Sequence, residues 1–309
     1  MKYLWLASSF YLRFVGSIFN LDGLIVGTMS YTNIRGVDHY YEWIRESSAS
    51  TEKPVMVFLH GWGGSTRYWQ NTAEALSPWF HCLLYDLRGF GRSRLPQENH
   101  LDYELETYAD DLAILLENLN LEEVYINAHS MGASIATLFL NRYRERVRKA
   151  ILTCSGIFAY DEKAFTVFHK AGTLVAKFRP QWLRKIPQVD RLFISRFLHR
   201  PLPRHISQAF LEDYLMADEE ATIGTIYTSV SKKAAEIMPD EFSKISIPTL
   251  LVSGEYDKII PAKMGAHAAS FSEKVYHLVM PRTAHFPMLE DKDTYLRNVK
   301  EFLEIQPAS

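Results

Sequence analysis

Short runs of consecutive apolar residues recur along the chain and alternate with longer stretches of helical period. The first two, "TMSYTNIRG" (28–36) and "DHYYEWIRE" (38–46), lie either side of Val37 and read as an antiparallel pair. Six more follow: "KPVMVFLHG", "FHCLLYDLRG", "EVYINAHS", "KAILTCSG", "PTLLVSGEYD" and "KVYHLVMPRTAH". Nearly unbroken apolar runs are what strands need when both faces of a parallel sheet are covered. Between them, "ETYADDLAILLENL" (106–119) and "SIATLFLNRYRERV" (134–147) carry the spacing of helices with one buried face. The alternation predicts an α/β fold with a mostly parallel eight-stranded sheet and active groups at the carboxyl ends of its strands.

Two stretches depart from this rhythm. From 158 to 246 the pattern is helical and punctuated by Pro180, Pro187, Pro201, Pro203 and Pro239, each expected to break a helix. Lying between two sheet strands, it reads as an inserted helical cap on a core made of residues 27–157 and 247–309. Residues 1–26 form an apolar segment with a single charge, Arg13, between Lys2 and Asp22. Taken as a helix, it sets Ser9, Arg13, Ser17 and Asn20 against Leu4, Tyr11, Phe14, Val15 and Ile18. That stripe suits a helix lying in a membrane interface, or one packed on the protein's own core.

Composition narrows the function. A formal charge of −2 gives no global attraction for nucleic acid, so none is expected as a partner. Cys82 and Cys154 sit within apolar runs and read as buried free thiols. No Cys or His pair has metal-ligand spacing, and the chemistry below needs neither metal nor cofactor.

Chemistry gathers at the strand ends. Ser130 stands where "EVYIN" turns into "SIATLFL", with small residues at 128, 132 and 133 allowing strand and helix to approach closely. Alone, a serine there reads as a helix N-cap. Its companions change that reading: Asp257 lies just beyond the penultimate strand and His285 just beyond the last. Ser130, His285 and Asp257 thus supply a nucleophile, its base and a group to orient the base. "FLHGWGG" ends another strand, and the backbone N–H groups of Trp62 and Met131 are the expected oxyanion donors. Gly61 and His129, beside them, are expected to contact substrate. Neither G-x-G-x-x-G nor G-K-[ST] is present, which argues against a phosphate cradle.

These motifs resemble those of the α/β-hydrolase superfamily over residues from about 27 to 305: "HGWGG" (60–64), "YDLRGFGRS" (85–93), "AHSMGAS" (128–134), "GEYDKIIP" (254–261) and "TAHFPMLE" (283–290). The resemblance is to the helical-cap serine hydrolases. It implies the same roles for Ser130, His285, Asp257, Trp62 and Met131. Ala128 and Ala284 stand where that family commonly has glycine. Relatives that open epoxides or remove halides carry aspartate where this chain has Ser130, so serine points to acyl transfer. The expected function is hydrolysis of a carboxylic ester, of esterase or lipase type. A C–C bond hydrolase of the meta-cleavage-product kind and a non-catalytic ligand receptor are the alternatives. Arg88 is expected to make a structural ion pair.

The substrate class is suggested by the cap. Residues 164–211 hold nine Lys and Arg against one acid, Asp190, interleaved with phenylalanines and Trp182. A solvated basic face, pairing with the acidic run "LEDYLMADEE" (211–220), or contact with an anionic membrane would each explain it. The expectation is a cytoplasmic protein, peripheral to a membrane, acting on a hydrophobic ester.

Overall fold

In the computed structural model, residues 13–19, 25–46, 53–98 and 100–305 are described. Nine strands among them form one sheet: β1 (Arg13–Phe19), β2 (Ile25–Ile34), β3 (Val37–Glu46), β4 (Val55–Leu59), β5 (His81–Tyr85), β6 (Val124–His129), β7 (Val147–Thr153), β8 (Thr249–Gly254) and β9 (Val275–Met280). Their spatial order is β1-β2-β3-β5-β4-β6-β7-β8-β9, with β4 to β9 parallel to one another.

The eight expected strands are β2 to β9, and β1 is a ninth. It pairs antiparallel with β2, so the helical reading of the N-terminal segment fails over Arg13–Phe19. That reading weighed only the polar and apolar faces. Phe14, Val15 and Ile18 count there by the face they occupy, yet as aromatic and β-branched residues they also favour strands, and Gly16 weakens a helix and here marks a register shift. The remainder of the segment, 1–12 and 20–24, lies outside the described residues. β2 and β3 pair with Ile34 opposite Val37, so Val37 belongs to the strand. Arg35 and Gly36 make the two-residue turn with φ of 51° and 84°, the left-handed pair that such a hairpin requires.

Alternation along the central strands divides the core in two. Val57 and Leu59 of β4 point to one face, and Met56 and Phe58 to the other. The helices are α1 (Gln70–Leu76), α2 (Leu105–Asn118), α3 (Met131–Arg142), α4 (Glu162–Lys177), α5 (Val189–Ser195), α6 (Arg204–Met216), α7 (Glu219–Ser229), α8 (Lys232–Lys244), α9 (Ala262–Ala269), α10 (Pro287–Glu290) and α11 (Lys292–Leu303). α2, α3 and α8 bury residues against the first face, α1 and α11 against the second. Pro239 sits inside α8 and does not break it; Met238 and Phe242 beside it are buried in the core. The other four cap prolines lie outside the α-helices, in the connections between them.

The strand order reverses about β4, which has β5 on one side and β6 on the other. At such a reversal the loops leaving the carboxyl ends diverge and open a crevice. The loops after β4 and β6 carry Gly61, Trp62 and Ser130. Arg88 fulfils its structural expectation: its Nε donates to Asp111 Oδ2 at 2.8 Å, and both side chains are fully buried.

Candidate active site

Ser130 occupies the position before α3 with φ 53° and ψ −121°, a conformation costly for a residue with a Cβ. Its N–H donates to Thr153 O at 2.9 Å, which helps hold the turn. The sharpness of the turn depends on Gly132, where a Cβ would lie 2.4 Å from His60 O. Ser130 occupies an N-cap position without capping: its side chain makes no bond to the helix N–H groups. Its Oγ is instead 3.0 Å from His285 Nε2.

His285 Nδ1 is 2.7 Å from Asp257 Oδ2. A carboxylate oxygen accepts, so Nδ1 carries the proton and Nε2 is free to accept from Ser130. Asp257 Oδ1 accepts from the Ile259 and Ile260 N–H groups at 2.8 and 3.1 Å. Burial works to raise the Asp257 pKa, but His285 and these two donors hold it below the ordinary value. The structure therefore brings Ser130, His285 and Asp257 into one hydrogen-bonded line. Three loops converge there, with Ser130 and His285 155 positions apart and Asp257 and His285 28 positions apart.

Two further groups brace this line. Glu290 Oε1 accepts from the Ala284 and Phe286 N–H groups at 2.9 and 3.3 Å, either side of His285. Its Oε2 accepts from His199 and Arg200 N–H at 2.7 and 2.9 Å. His129, expected to contact substrate, lines the cavity but spends both ring nitrogens on the protein. Nε2 lies 2.7 Å from His285 O, and Nδ1 lies 3.0 Å from Tyr68 Oη. The Tyr68 hydroxyl in turn accepts from Gly61 N–H. Burial first, and then the nearby His285, push the His129 pKa well down, so its ring stays neutral.

The Trp62 and Met131 N–H groups have no protein acceptor among the described residues; the latter is one of the free donors at the start of α3. Both residues, with Gly61, line a cavity of about 330 Å³ that contains Ser130 and His285. Its walls are mostly apolar, with Phe168, Phe193, Phe197, Phe210 and Phe286 among them. Arg196 is the one Lys, Arg, Asp or Glu in its lining among the described residues. The cap helices close it from above, and Trp62 Nε1 donates to Thr222 O of α7 at 2.9 Å.

His129, Cys154 and His285 are close enough together to be considered as metal ligands. Both imidazoles already have partners at each ring nitrogen, and burial pushes the Cys154 thiol well up, against the thiolate a metal would need. Hydrogen bonding accounts for these residues without an ion.

The sheet and its flanking helices are those of a known group, whose family profile, the alpha/beta hydrolase fold, matches residues 54–292. The chain belongs to that family. Among relatives of this α/β hydrolase, a pimeloyl-[acyl-carrier protein] methyl ester esterase of Vibrio campbellii is 23% identical over 81% of this chain and 94% of its own. A proline iminopeptidase of Saccharolobus solfataricus is 24% identical over 89% and 91%. The enol-lactonase of Burkholderia xenovorans LB400 superposes with a TM-score of 0.73 at 18% identity, over 89% of this chain and 99% of that one. The fold is thus shared by proteins named for an open-chain ester, a peptide and a lactone. Tyr68 and Glu290 were not singled out from the sequence of this α/β hydrolase. The only signal was Glu290's place five residues after His285.

Proposed function

We propose that the protein is a serine hydrolase that cleaves a carboxylic ester of a hydrophobic, lipid-like molecule through an acyl-enzyme on Ser130. The observation that carries this is Ser130 Oγ, held on a strained turn 3.0 Å from His285 Nε2, in the wall of a mostly apolar cavity. In the reaction, Oγ attacks the ester carbonyl while His285 Nε2 takes its proton. The oxyanion is bound by the Trp62 and Met131 N–H groups, each donor worth about 3 kcal/mol in the transition state. His285 then gives its proton to the departing alcohol. Water enters, His285 takes a proton from it, and the acid is released from Ser130 as the proton returns to Oγ. Asp257 stays ionised throughout and stabilises the imidazolium.

Ester, peptide and lactone bonds all present a carbonyl carbon to such a serine, so the names of the relatives fit this chemistry without choosing the bond. The choice of ester rests on the cavity: phenylalanine walls and one cation at Arg196 suit an apolar acyl chain. A volume near the lower end of the usual range for small-molecule sites favours chains of medium length. A p-nitrophenyl ester series from acetate to palmitate tests this. Hydrolysis should peak at medium length and fall by at least about a thousandfold in Ser130→Ala. A wild type inactive on every ester, yet active on dienoic ketoacids, would replace this reading with C–C bond hydrolysis.

A further inference from the structure

Helix α4 has two faces that differ sharply. Phe168, Gly172 and Val175 line the cavity. On the opposite side, Lys163, Val167, Lys170, Leu174 and Lys177 follow one another at intervals of four and three residues, the spacing that stacks side chains along one stripe. All five are exposed; Val167 and Leu174, at 67% and 70%, are among the most exposed large apolar residues described. The stripe continues past the helix end into Phe178 and Trp182, 60% and 53% exposed, whose rings meet edge to face at 6.4 Å.

The lysines of this stripe make no ion pair among the described residues. Within the acidic run 211–220, Glu212 and Asp213 pair with Arg67, and Asp218 pairs with Arg94. On α8, by contrast, Lys232, Lys233 and Lys244 are all paired. A solvated helix face has no need of Val, Leu, Phe and Trp between its charges, and a core-facing one would bury them. Alternating cations and apolar groups, both exposed, match an anionic lipid surface, where headgroups take the charge and the interface takes the apolar side chains. Among the described residues no helix is long and apolar enough to cross a membrane, so this contact would lie on the surface.

We propose that the outer face of α4, extended by Phe178 and Trp182, docks the protein on an anionic phospholipid bilayer. The helix then stands between bilayer and cavity, with one face toward each. The proposal rests on the lipid-ester reading for its purpose, but not for its test.

The test is co-sedimentation of the full chain, as Ser130→Ala so that turnover plays no part, with phosphatidylcholine vesicles and with vesicles containing phosphatidylglycerol. Binding should be stronger with phosphatidylglycerol and weaken with salt. Lys170→Glu and Leu174→Glu should each lower it by about tenfold or more. Neither residue lines the cavity, so in the Ser130 protein both variants should hydrolyse a soluble short ester at the unchanged rate, which also reports that they fold. Absent binding to phosphatidylglycerol vesicles, or binding equal in the variants and their parent, would overturn the proposal. So would variants that change only self-association, which would assign the stripe to a second copy. Ester activity can fail while vesicle binding survives, and the reverse, so the two readings fall separately.

Discussion

His129 donates from Nε2 to the backbone carbonyl of His285 at 2.7 Å, joining the residue before Ser130 to the residue whose ring lies 3.0 Å from the Ser130 hydroxyl. A carbonyl can only accept, so Nε2 carries the hydrogen and the neutral ring accepts at Nδ1 from Tyr68. Gly61 N–H donates to the same tyrosine oxygen. A single directed chain therefore runs from the Gly61 loop through Tyr68 and His129 to His285.

Tyr68→Phe cuts that chain at its middle and leaves Gly61 N–H and His129 Nδ1 buried without partners. Unfilled groups of this kind cost about 1–3 kcal/mol each. The variant should unfold at a lower temperature and lose about tenfold in kcat, with KM for a short ester little changed. Calorimetry and steady-state kinetics check both; a KM-only effect would mean that Tyr68 acts on substrate directly.

Glu290→Gln puts an amide NH₂ where one oxygen accepts two backbone N–H groups, on one side or the other. Roughly 2 kcal/mol of stability should be lost. Activity should fall with it, because Ala284 and Phe286 flank His285. Thermal unfolding measured beside kcat would show whether the two losses go together.

Asp257→Asn keeps an acceptor for the Ile259 and Ile260 N–H groups but presents the wrong partner to His285 Nδ1. A fall in kcat of about ten-thousandfold is expected. The wild-type carboxyl is held below its ordinary value of 3.8, so its stabilisation is present above that pH and lost as pH falls through the folded value. The stability gap between wild type and Asp257→Asn should therefore close only in strong acid. Urea denaturation as a function of pH reads this directly.

Asp213 behaves in the opposite sense. Burial pushes its pKa up to about 6, against the opposing pull of Arg67 and the Ser65 hydroxyl. A carboxyl with a raised folded pKa gives stability that is present below its ordinary 3.8 and lost as pH rises through about 6. Between pH 4 and 7, Asp213→Asn should gain on wild type by about 3 kcal/mol. If the variant instead lost ground over that window, the ion pair with Arg67 would outweigh burial.

Much of this site could be read in the sequence because its groups sit at boundaries the sequence marks. Ser130, Asp257 and His285 each follow an apolar run, and in the parallel part of the sheet, β4 to β9, every such run ends on the same side. Tyr68 and Glu290 bear no such mark. Their roles come from contacts across 61 and 91 positions, to His129 and to His199, and a tyrosine or glutamate near a glycine-rich or histidine loop has many other uses. The error over Arg13–Phe19 has the same origin. Its strand depends on β2 being alongside, and the spacing of polar residues alone favoured a helix. Pro239 misled for a related reason: the helix around it is held by the burial of Met238 and Phe242, a tertiary effect.

The central claim is that Ser130 is a nucleophile activated by His285. Treatment with a fluorophosphonate, followed by intact-mass and peptide analysis, tests it most directly. The account predicts one adduct on wild type, located at Ser130, and none on a folded Ser130→Ala protein. A folded wild type that stays unmodified, or an adduct that persists in the variant, would contradict it.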